Sequence, residues 1–148
     1  MKSKKHTLIS AVMYENDYVV TIGTKLGEFT GATTCKPEDQ AFKSHYLGFE
    51  LAEIKAEIAY ARAERNRAHN ELTALLHFWR DMSKTRTFDE SAFWVKKIKQ
   101  RTDALTDEYH SWEEKITALQ NLYVIKVRDF DKHKSIMQKR IKKNDKKS

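Results

Sequence analysis

Aromatic and basic side chains are concentrated between residues 78 and 101 of this chain. Five of the sixteen aromatic residues lie between Phe78 and Trp94, with arginines and lysines interleaved. An aromatic ring can stack on a nucleotide base, and a guanidinium group can bind a phosphate through paired hydrogen bonds. The same rings could instead close the end of a helical hairpin or form a contact between subunits. The residues that could bind such a ligand are Phe78, Arg80, Arg86, Phe88, Phe93, Trp94 and Arg101.

The sequence contains no motif of a catalytic site. HExxH, GxSxG, GxGxxG and the GxxxxGKS/T phosphate-binding loop are all absent. The six histidines are scattered, and His69 and His77 are about two turns apart on a predicted helix, too far to share a metal. Cys35, which precedes Lys36, is predicted to be a structural or surface thiol. We therefore predict a protein that is not an enzyme and that uses no metal or cofactor.

The net charge of +7 comes from the C-terminal end of the chain. Residues 132–148 contain eight lysines and arginines and one acid, so the preceding residues are balanced in charge. A basic segment attracts nucleic acid through contacts with phosphates. A solvated helix end that keeps a protein in solution has the same composition. Nucleic-acid binding through this basic tail is therefore one of two open interpretations.

Cysteine content and hydropathy restrict the location of the protein. One cysteine excludes a disulfide scaffold, and a reducing compartment is the default for such a chain. Apolar runs are at most four residues long, as at 122–125, which is far too short to span a membrane. We expect a cytoplasmic protein with no membrane contact.

Glycine and proline divide the chain into two regions. All four glycines and the single proline lie between residues 23 and 48. Residues 7–14, 18–22 and 28–35 are rich in β-branched and aromatic residues, which predicts a small antiparallel β-meander within residues 1–36. Residues 37–48 are predicted to be a short helix or linker that begins at Pro37 and breaks near Gly48. The remaining residues predict two long helices, at 49–83 and 87–141, and a basic tail at 142–148.

Apolar side chains recur at heptad spacing along both predicted helices. The short link between the helices predicts an antiparallel, coiled-coil-like hairpin, and the whole chain is predicted to be a single α+β domain. Thr87 and Glu90 form a capping box at the start of the second helix. The first seam is Leu47, Leu51, Ile54, Ile58, Ala61, Arg65, Ala68, Leu72, Leu75, Trp79 and Met82, and the second is Val95, Ile98, Thr102, Leu105, Tyr109, Trp112, Ile116, Leu119 and Tyr123.

The hairpin register follows if Trp79 faces Trp94 or Val95. Small residues on the first seam then face large ones on the second, as close packing requires. Arg65 falls opposite Glu108, which predicts an ion pair that fixes the register. After Tyr123 the apolar stripe shifts by a four-residue stutter. The shifted stripe, which must cover the β-meander or meet another chain, is Val127, Phe130, Lys134, Met137 and Ile141.

The order of these parts resembles that of the Thoeris anti-defence 1 family, small phage proteins with a β-core and two long helices. The segments YVVTIG at 18–23 and GEFTG at 27–31 resemble segments of small proteins from phages of Gram-positive bacteria. The resemblance is architectural and extends over most of the chain. It implies a nucleotide sponge that binds and sequesters a cyclic ADP-ribose-like signal in the host cytoplasm. It also implies a homodimer or higher homo-oligomer, with ligand between subunits, aromatic residues on the adenine and arginines on the phosphates.

The sequence thus predicts a non-enzymatic, phage-type anti-defence protein that binds a small cyclic nucleotide. One alternative is a basic helical-hairpin protein that binds nucleic acid. The other is a coiled-coil scaffold that binds a protein partner.

Overall fold

The computed structural model describes residues 6–36, 39, 44–85, 89 and 92–147, without side chains for the last three. Three strands come first, β1 (Thr7–Tyr14), β2 (Asp17–Thr24) and β3 (Gly27–Thr34). Two long helices follow, α1 (His45–Ser83) and α2 (Phe93–Lys147). The predicted α+β class, an N-terminal meander followed by a helical hairpin, is confirmed. Within the described residues, neither helix contains a stretch apolar enough to cross a membrane.

The strands form an antiparallel sheet in the order β1-β2-β3. A two-residue turn joins β1 to β2, and Glu15 adopts a left-handed backbone there with φ of 53°. Gly27, with φ of 115°, follows the second turn, where glycine avoids the steric cost of a side chain. A bulge at Ile9 shifts the register within β1. The predicted strands are confirmed to within two residues at each end.

The described chain forms two compact units, one from residues 1–59 and 118–148 and the other from residues 60–117. In the first unit, helix α1 packs against one face of the sheet. Tyr18, Val20 and Ile22 on this face of β2 are fully buried. A Cβ atom added to Gly31 in β3 would overlap the backbone of Ala52 and Ala56, which are themselves buried. The helix and the strand therefore meet backbone to backbone.

Helix α1 begins earlier than the sequence predicts. Ser44 precedes the first turn, and its hydroxyl accepts a hydrogen bond of 3.2 Å from the Leu47 amide, as a capping residue does. The predicted break near Gly48 is wrong, because Gly48 lies inside the helix. A side chain at this position would overlap the ring of Tyr18, so the glycine makes room for the sheet rather than ending the helix.

Helix α2 is displaced toward the C-terminus relative to the prediction. Asp89 and Ala92 are not helical, and the helix begins at Phe93. The predicted capping residues Thr87 and Glu90 lie outside the described residues, as does Pro37. At the other end the helix continues to Lys147, so residues 142–147 are not a separate tail. No glycine or proline interrupts this segment, and lysine has a good helix propensity.

Residues 118–147 of α2 help to close the first unit. The predicted shift of the apolar stripe after Tyr123 is confirmed, because Val127, Phe130 and Met137 are half-buried. Two ion pairs attach this part of α2, Lys126 to Glu50 and Lys134 to Asp39. Ile141, at the end of the stripe, is exposed. The stripe therefore packs within its own unit.

The second unit is an antiparallel pair formed by residues 60–83 of α1 and 93–117 of α2. Its predicted seam is confirmed at the core positions Ala61, Ala68, Val95, Leu105 and Trp112, which are all buried. Tyr60 meets Trp112 edge to face at 5.6 Å between ring centroids, and Phe78 meets Trp94 at 6.4 Å. These contacts agree with the register inferred from Trp79 facing Trp94 or Val95.

The contact between Gly31 and α1 can be tested by substitution. We expect Gly31→Val to destabilise the protein by about 1–3 kcal/mol or more, because the new side chain must displace helix backbone. The matched control is Ala32→Val, since Ala32 is the next residue of β3 and is exposed. The control should be neutral or slightly stabilising. Urea denaturation of both variants measures the difference, and equal stabilities would contradict the close approach.

Candidate functional site

The predicted site residues that the structure describes lie near the end of the second unit where α1 stops and α2 begins. Phe78 and Trp94 form an edge-to-face pair, with 46% and 38% of their surface exposed. Phe93 is 74% exposed, and the Lys97 ammonium lies 5.1 Å from its ring centroid. Exposed aromatic rings beside a cation are therefore present at this end, which we call the hairpin tip.

The predicted arginines are not all brought to the tip. Arg101 donates two hydrogen bonds, of 3.0 and 2.8 Å, to Glu71, so its guanidinium is already paired. Arg80 is exposed and is 3.9 Å from Asp81, a distance that leaves the guanidinium weakly held. Arg86 and Phe88 lie outside the described residues. The described part of the tip thus assembles Phe78, Phe93 and Trp94 but only one weakly paired arginine.

A groove of about 280 Å³ lies in the same unit and was missed by sequence reasoning. Trp79 forms part of its wall, and the Lys99 ammonium is 5.4 Å from the Trp79 ring centroid. Trp79, Ile98 and Thr102 are all seam positions of the heptad pattern, so the groove opens along the seam, where the pattern predicts close packing. The sequence does contain one indication of the groove. Thr102 and Asp103 follow Lys99 by three and four residues, which places these polar side chains on one side of α2. The groove is lined by Leu76, Trp79, Ile98, Lys99, Thr102 and Asp103.

The second unit also contains a fully buried carboxylate, Glu64. The Tyr60 hydroxyl donates to Glu64 Oε2 at 3.2 Å, and Arg67 Nε donates to Glu64 Oε1 at 3.1 Å. Arg67 also reaches Glu108 on α2 at 2.6 Å and Glu71 at 3.6 Å. These hydrogen bonds and ion pairs compensate for the loss of hydration of a buried charge. The network joins the two helices through charge rather than through apolar contact.

The predicted ion pair between Arg65 and Glu108 is wrong. Arg65 lies 3.4 Å from Glu113, one and a half turns further along α2. Arg67 binds Glu108 instead, because it also neutralises Glu64 on the buried face. Sequence periodicity identified the presence of a charge at this level of the seam but not which of the adjacent residues turns inward.

Three pKa values in the second unit are shifted. Burial raises the pKa of the Tyr60 phenol, and the charge and hydrogen bond of Glu64 raise it further, while Arg67 opposes this effect. The hydrogen bond to Glu64 raises the pKa of Arg67, against the effect of burial. The pKa of Tyr109 is raised chiefly by its hydrogen bond to Glu113. These shifts follow from burial, hydrogen bonds and neighbouring charges within the helix pair.

The first unit contains a cavity of about 300 Å³ between the sheet end and the two helices. Its walls are largely apolar, with Leu47, Leu51, Tyr123, Val127 and Phe130 among them. The polar side chains that line it include Asp39 and Asp131.

The Tyr18 hydroxyl, at one wall of this cavity, is 2.7 Å from His45 Nδ1. Burial raises the pKa of Tyr18, and the nearby Cys35 thiol raises it further. The cavity therefore combines an apolar interior with one buried phenol.

One set of side chains among the described residues could hold a metal ion. His6, Glu53 and Glu57 place their ligand atoms within 4.8 Å of one another. The sequence predicts no metal site, and local spacing does not connect His6 with Glu53, which lies 47 residues away in the chain.

No family model, curated protein or solved structure matches this chain.

The buried network can be tested by comparing two neighbouring arginines. Arg67→Met leaves Glu64 buried without its cation, so we expect a loss of about 3 kcal/mol in the free energy of unfolding. Arg65→Met removes a partly exposed pair and should cost less than about 1 kcal/mol. Urea denaturation of both variants measures the difference. Equal losses would contradict the assignment of Arg67, rather than Arg65, to the buried charge.

The raised pKa values of Tyr18 and Tyr60 predict a loss of stability in alkali. An unfolded tyrosine ionises near about pH 10. Because the folded pKa is higher, the folded state retains protons that the unfolded state has lost, so stability falls as pH rises above that value. The stabilisation is fully present below the unfolded pKa. Urea midpoints from neutral to alkaline pH should decline less steeply in Tyr60→Phe, and an unchanged slope in this variant would contradict the prediction.

Proposed function

We propose that this protein is a non-enzymatic binding protein that sequesters a small cyclic nucleotide in the groove beside its hairpin tip. The observation that carries the proposal is the groove wall, where a tryptophan ring lies beneath the ammonium group of Lys99. A base can stack on such a ring, and the ammonium can bind a phosphate of the same ligand. The base and the phosphate of one nucleotide can therefore contact complementary groups in the same groove.

The size of the groove supports a partly enclosed ligand. Pockets for small molecules measure about 300–1,000 Å³, and a groove of about 280 Å³ lies at the low end. It therefore suits a base and leaves the ribose and phosphates outside. Arg80, which follows the groove residue Trp79 in α1, is exposed and adds a second cation at this end of the unit. A compact, folded ligand such as a cyclic nucleotide fits this surface better than an extended dinucleotide.

The lining of the groove supports binding without turnover. Among the described residues that line it, Asp103 is the only carboxylate, and no histidine or cysteine accompanies it. One acid beside a lysine and a threonine offers little for hydrolysis. Tight binding by pre-organised groups is sufficient to remove a signal from its receptor.

The proposal includes the biological role that the family resemblance implies. The ligand class is then a cyclic ADP-ribose-like signal, and the protein acts for a phage in the cytoplasm of its host. Self-association belongs to the same proposal. The β1 edge strand supports it, because this strand carries no charged residue and exposes Leu8, Ile9, Val12, Met13 and Tyr14.

A specific observation also favours nucleic acid as a second candidate ligand. The basic residues after position 131 belong to a helix, and Lys132, Lys139, Arg140, Lys142 and Lys143 are all exposed. A regular row of exposed cations can contact successive phosphates. In this case affinity falls steeply with salt, since each neutralised phosphate releases counterions.

Titration with cyclic ADP-ribose tests the first proposal. We expect Lys99→Gln to weaken binding about 10–100-fold, the range for loss of a hydrogen bond to a charged group. The matched control is Lys115→Gln, because the Lys115 ammonium lies 5.2 Å from the Trp112 ring centroid in a similar contact that is not part of the groove. Calorimetry measures both affinities, and the ligand recovered after heat denaturation should be intact.

The same experiment separates the alternatives. No binding of cyclic ADP-ribose or related cyclic nucleotides to the unmodified protein would overturn the sponge proposal. Salt-sensitive binding of short DNA or RNA, lost in a variant with Lys139, Arg140, Lys142 and Lys143 changed to glutamine, would then favour nucleic acid. Binding of neither class would leave the coiled-coil scaffold. Ligand converted to product would contradict sequestration.

A further inference from the structure

His6, Glu53 and Glu57 come from two separate elements of the first unit. His6 immediately precedes β1, and the glutamates lie one turn apart on α1, where residues four apart share a helix face. The backbone contact of Gly31 with Ala52 and Ala56 holds the adjacent face of α1 against the sheet. The His6 side chain is only 10% exposed, and both glutamates are partly buried. The fold therefore fixes the positions of the three side chains.

We propose that His6, Glu53 and Glu57 bind one divalent transition-metal ion, with Zn²⁺ the best match. His6 Nε2 lies 3.3 Å from Oε1 of each glutamate. Zinc bonds to imidazole and carboxylate are about 2.0–2.2 Å long, and a tetrahedral centre then separates its ligand atoms by about 3.3–3.5 Å. The two separations from His6 thus match those of a tetrahedral site, and the ligand atoms of Glu53 and Glu57 lie within 4.8 Å of each other.

The donor set restricts the choice of ion. One imidazole nitrogen and two carboxylate oxygens suit zinc and neighbouring transition metals. Calcium prefers six to eight oxygen ligands, and magnesium retains its water, so neither fits three ligands of which one is nitrogen. Three protein ligands leave the fourth position to water. The ion would join the start of β1 to α1, and this site shares no residue with the groove of the second unit.

A protonated His6 paired with both glutamates is the competing state, and metal binding distinguishes the two. The experiment uses the full chain without a histidine tag, freed of metal by a chelator and titrated with ZnCl₂ in a calorimeter. We expect one ion per chain and a rise in the thermal midpoint. His6→Ala should lower the affinity by more than the roughly 10–100-fold that is typical of losing an outer-shell partner. His133→Ala is the control, because His133 is exposed on α2 and lies outside the cluster.

Two further measurements keep the outcome clear if His6→Ala fails to fold. Glu57→Gln keeps the size of the side chain but weakens a ligand, so it should lower the Zn²⁺ affinity in a protein with normal circular dichroism. Co²⁺ should give the strong visible absorption of a four-coordinate site, which this variant should lose. Zn²⁺ binding that is unchanged in both variants would place the ion elsewhere. No binding to the unmodified chain would show that the cluster is an ion-paired histidine, and either result overturns the proposal.

Discussion

The first unit depends on the direct approach of helix backbone to sheet at Gly31. A side chain there would separate β3 from α1, because the space beyond its Cα atom is already taken by the backbone of Ala52 and Ala56. Backbone contact of this kind brings the flanking side chains into tight packing, which is why Tyr18 can lie across Gly48 with its ring buried. The positions of His6 against Glu53 and of the cavity walls both follow from this contact. A looser interface would leave each of these groups free to move independently.

The second unit is specified in a different way, by a charge that must be neutralised. Buried ion pairs contribute little net stability relative to apolar packing, but removal of one partner is costly. Glu64 can be buried only where Tyr60 and Arg67 reach it, and Arg67 in turn reaches Glu108 on the facing helix. A slide of α2 by one turn would separate Arg67 from Glu108. The network therefore disfavours alternative registers that the small apolar seam residues alone would tolerate.

The sequence predicted the elements well because their signals are local. Alternating and heptad patterns predicted three strands and two helices, and the seam positions Val95, Leu105, Trp112, Ile116 and Leu119 are buried as expected. The predicted break at Gly48 is wrong because glycine can either end a helix or make room for a close contact. Only the Tyr18 ring, which occupies the place of a side chain at Gly48, distinguishes these two roles.

The candidate sites were harder to predict, because their members meet through the tertiary fold. Nothing in local spacing relates His6 to a glutamate 47 residues away. The sequence predicts that Arg101 binds a ligand, but its guanidinium forms an ion pair with Glu71 on the other helix. Side-chain pairing of this kind depends on how each helix is rotated about its axis. Sequence periodicity determines this rotation only to within about one residue.

The cavity of the first unit and the groove of the second unit differ in the groups that their walls offer to a nucleotide. Asp39 and Asp131 line the cavity of the first unit, and Lys134 forms an ion pair with Asp39. Lys36 also lines the cavity, so the charges around it balance and its apolar volume favours neutral occupants. In the groove of the second unit, Lys99 faces Asp103 across an aromatic wall, and further cations on Arg80 and Lys97 lie on the same unit. The groove therefore offers the proposed nucleotide an aromatic wall beside a cation, whereas the cavity, the more enclosed of the two, offers chiefly apolar surface.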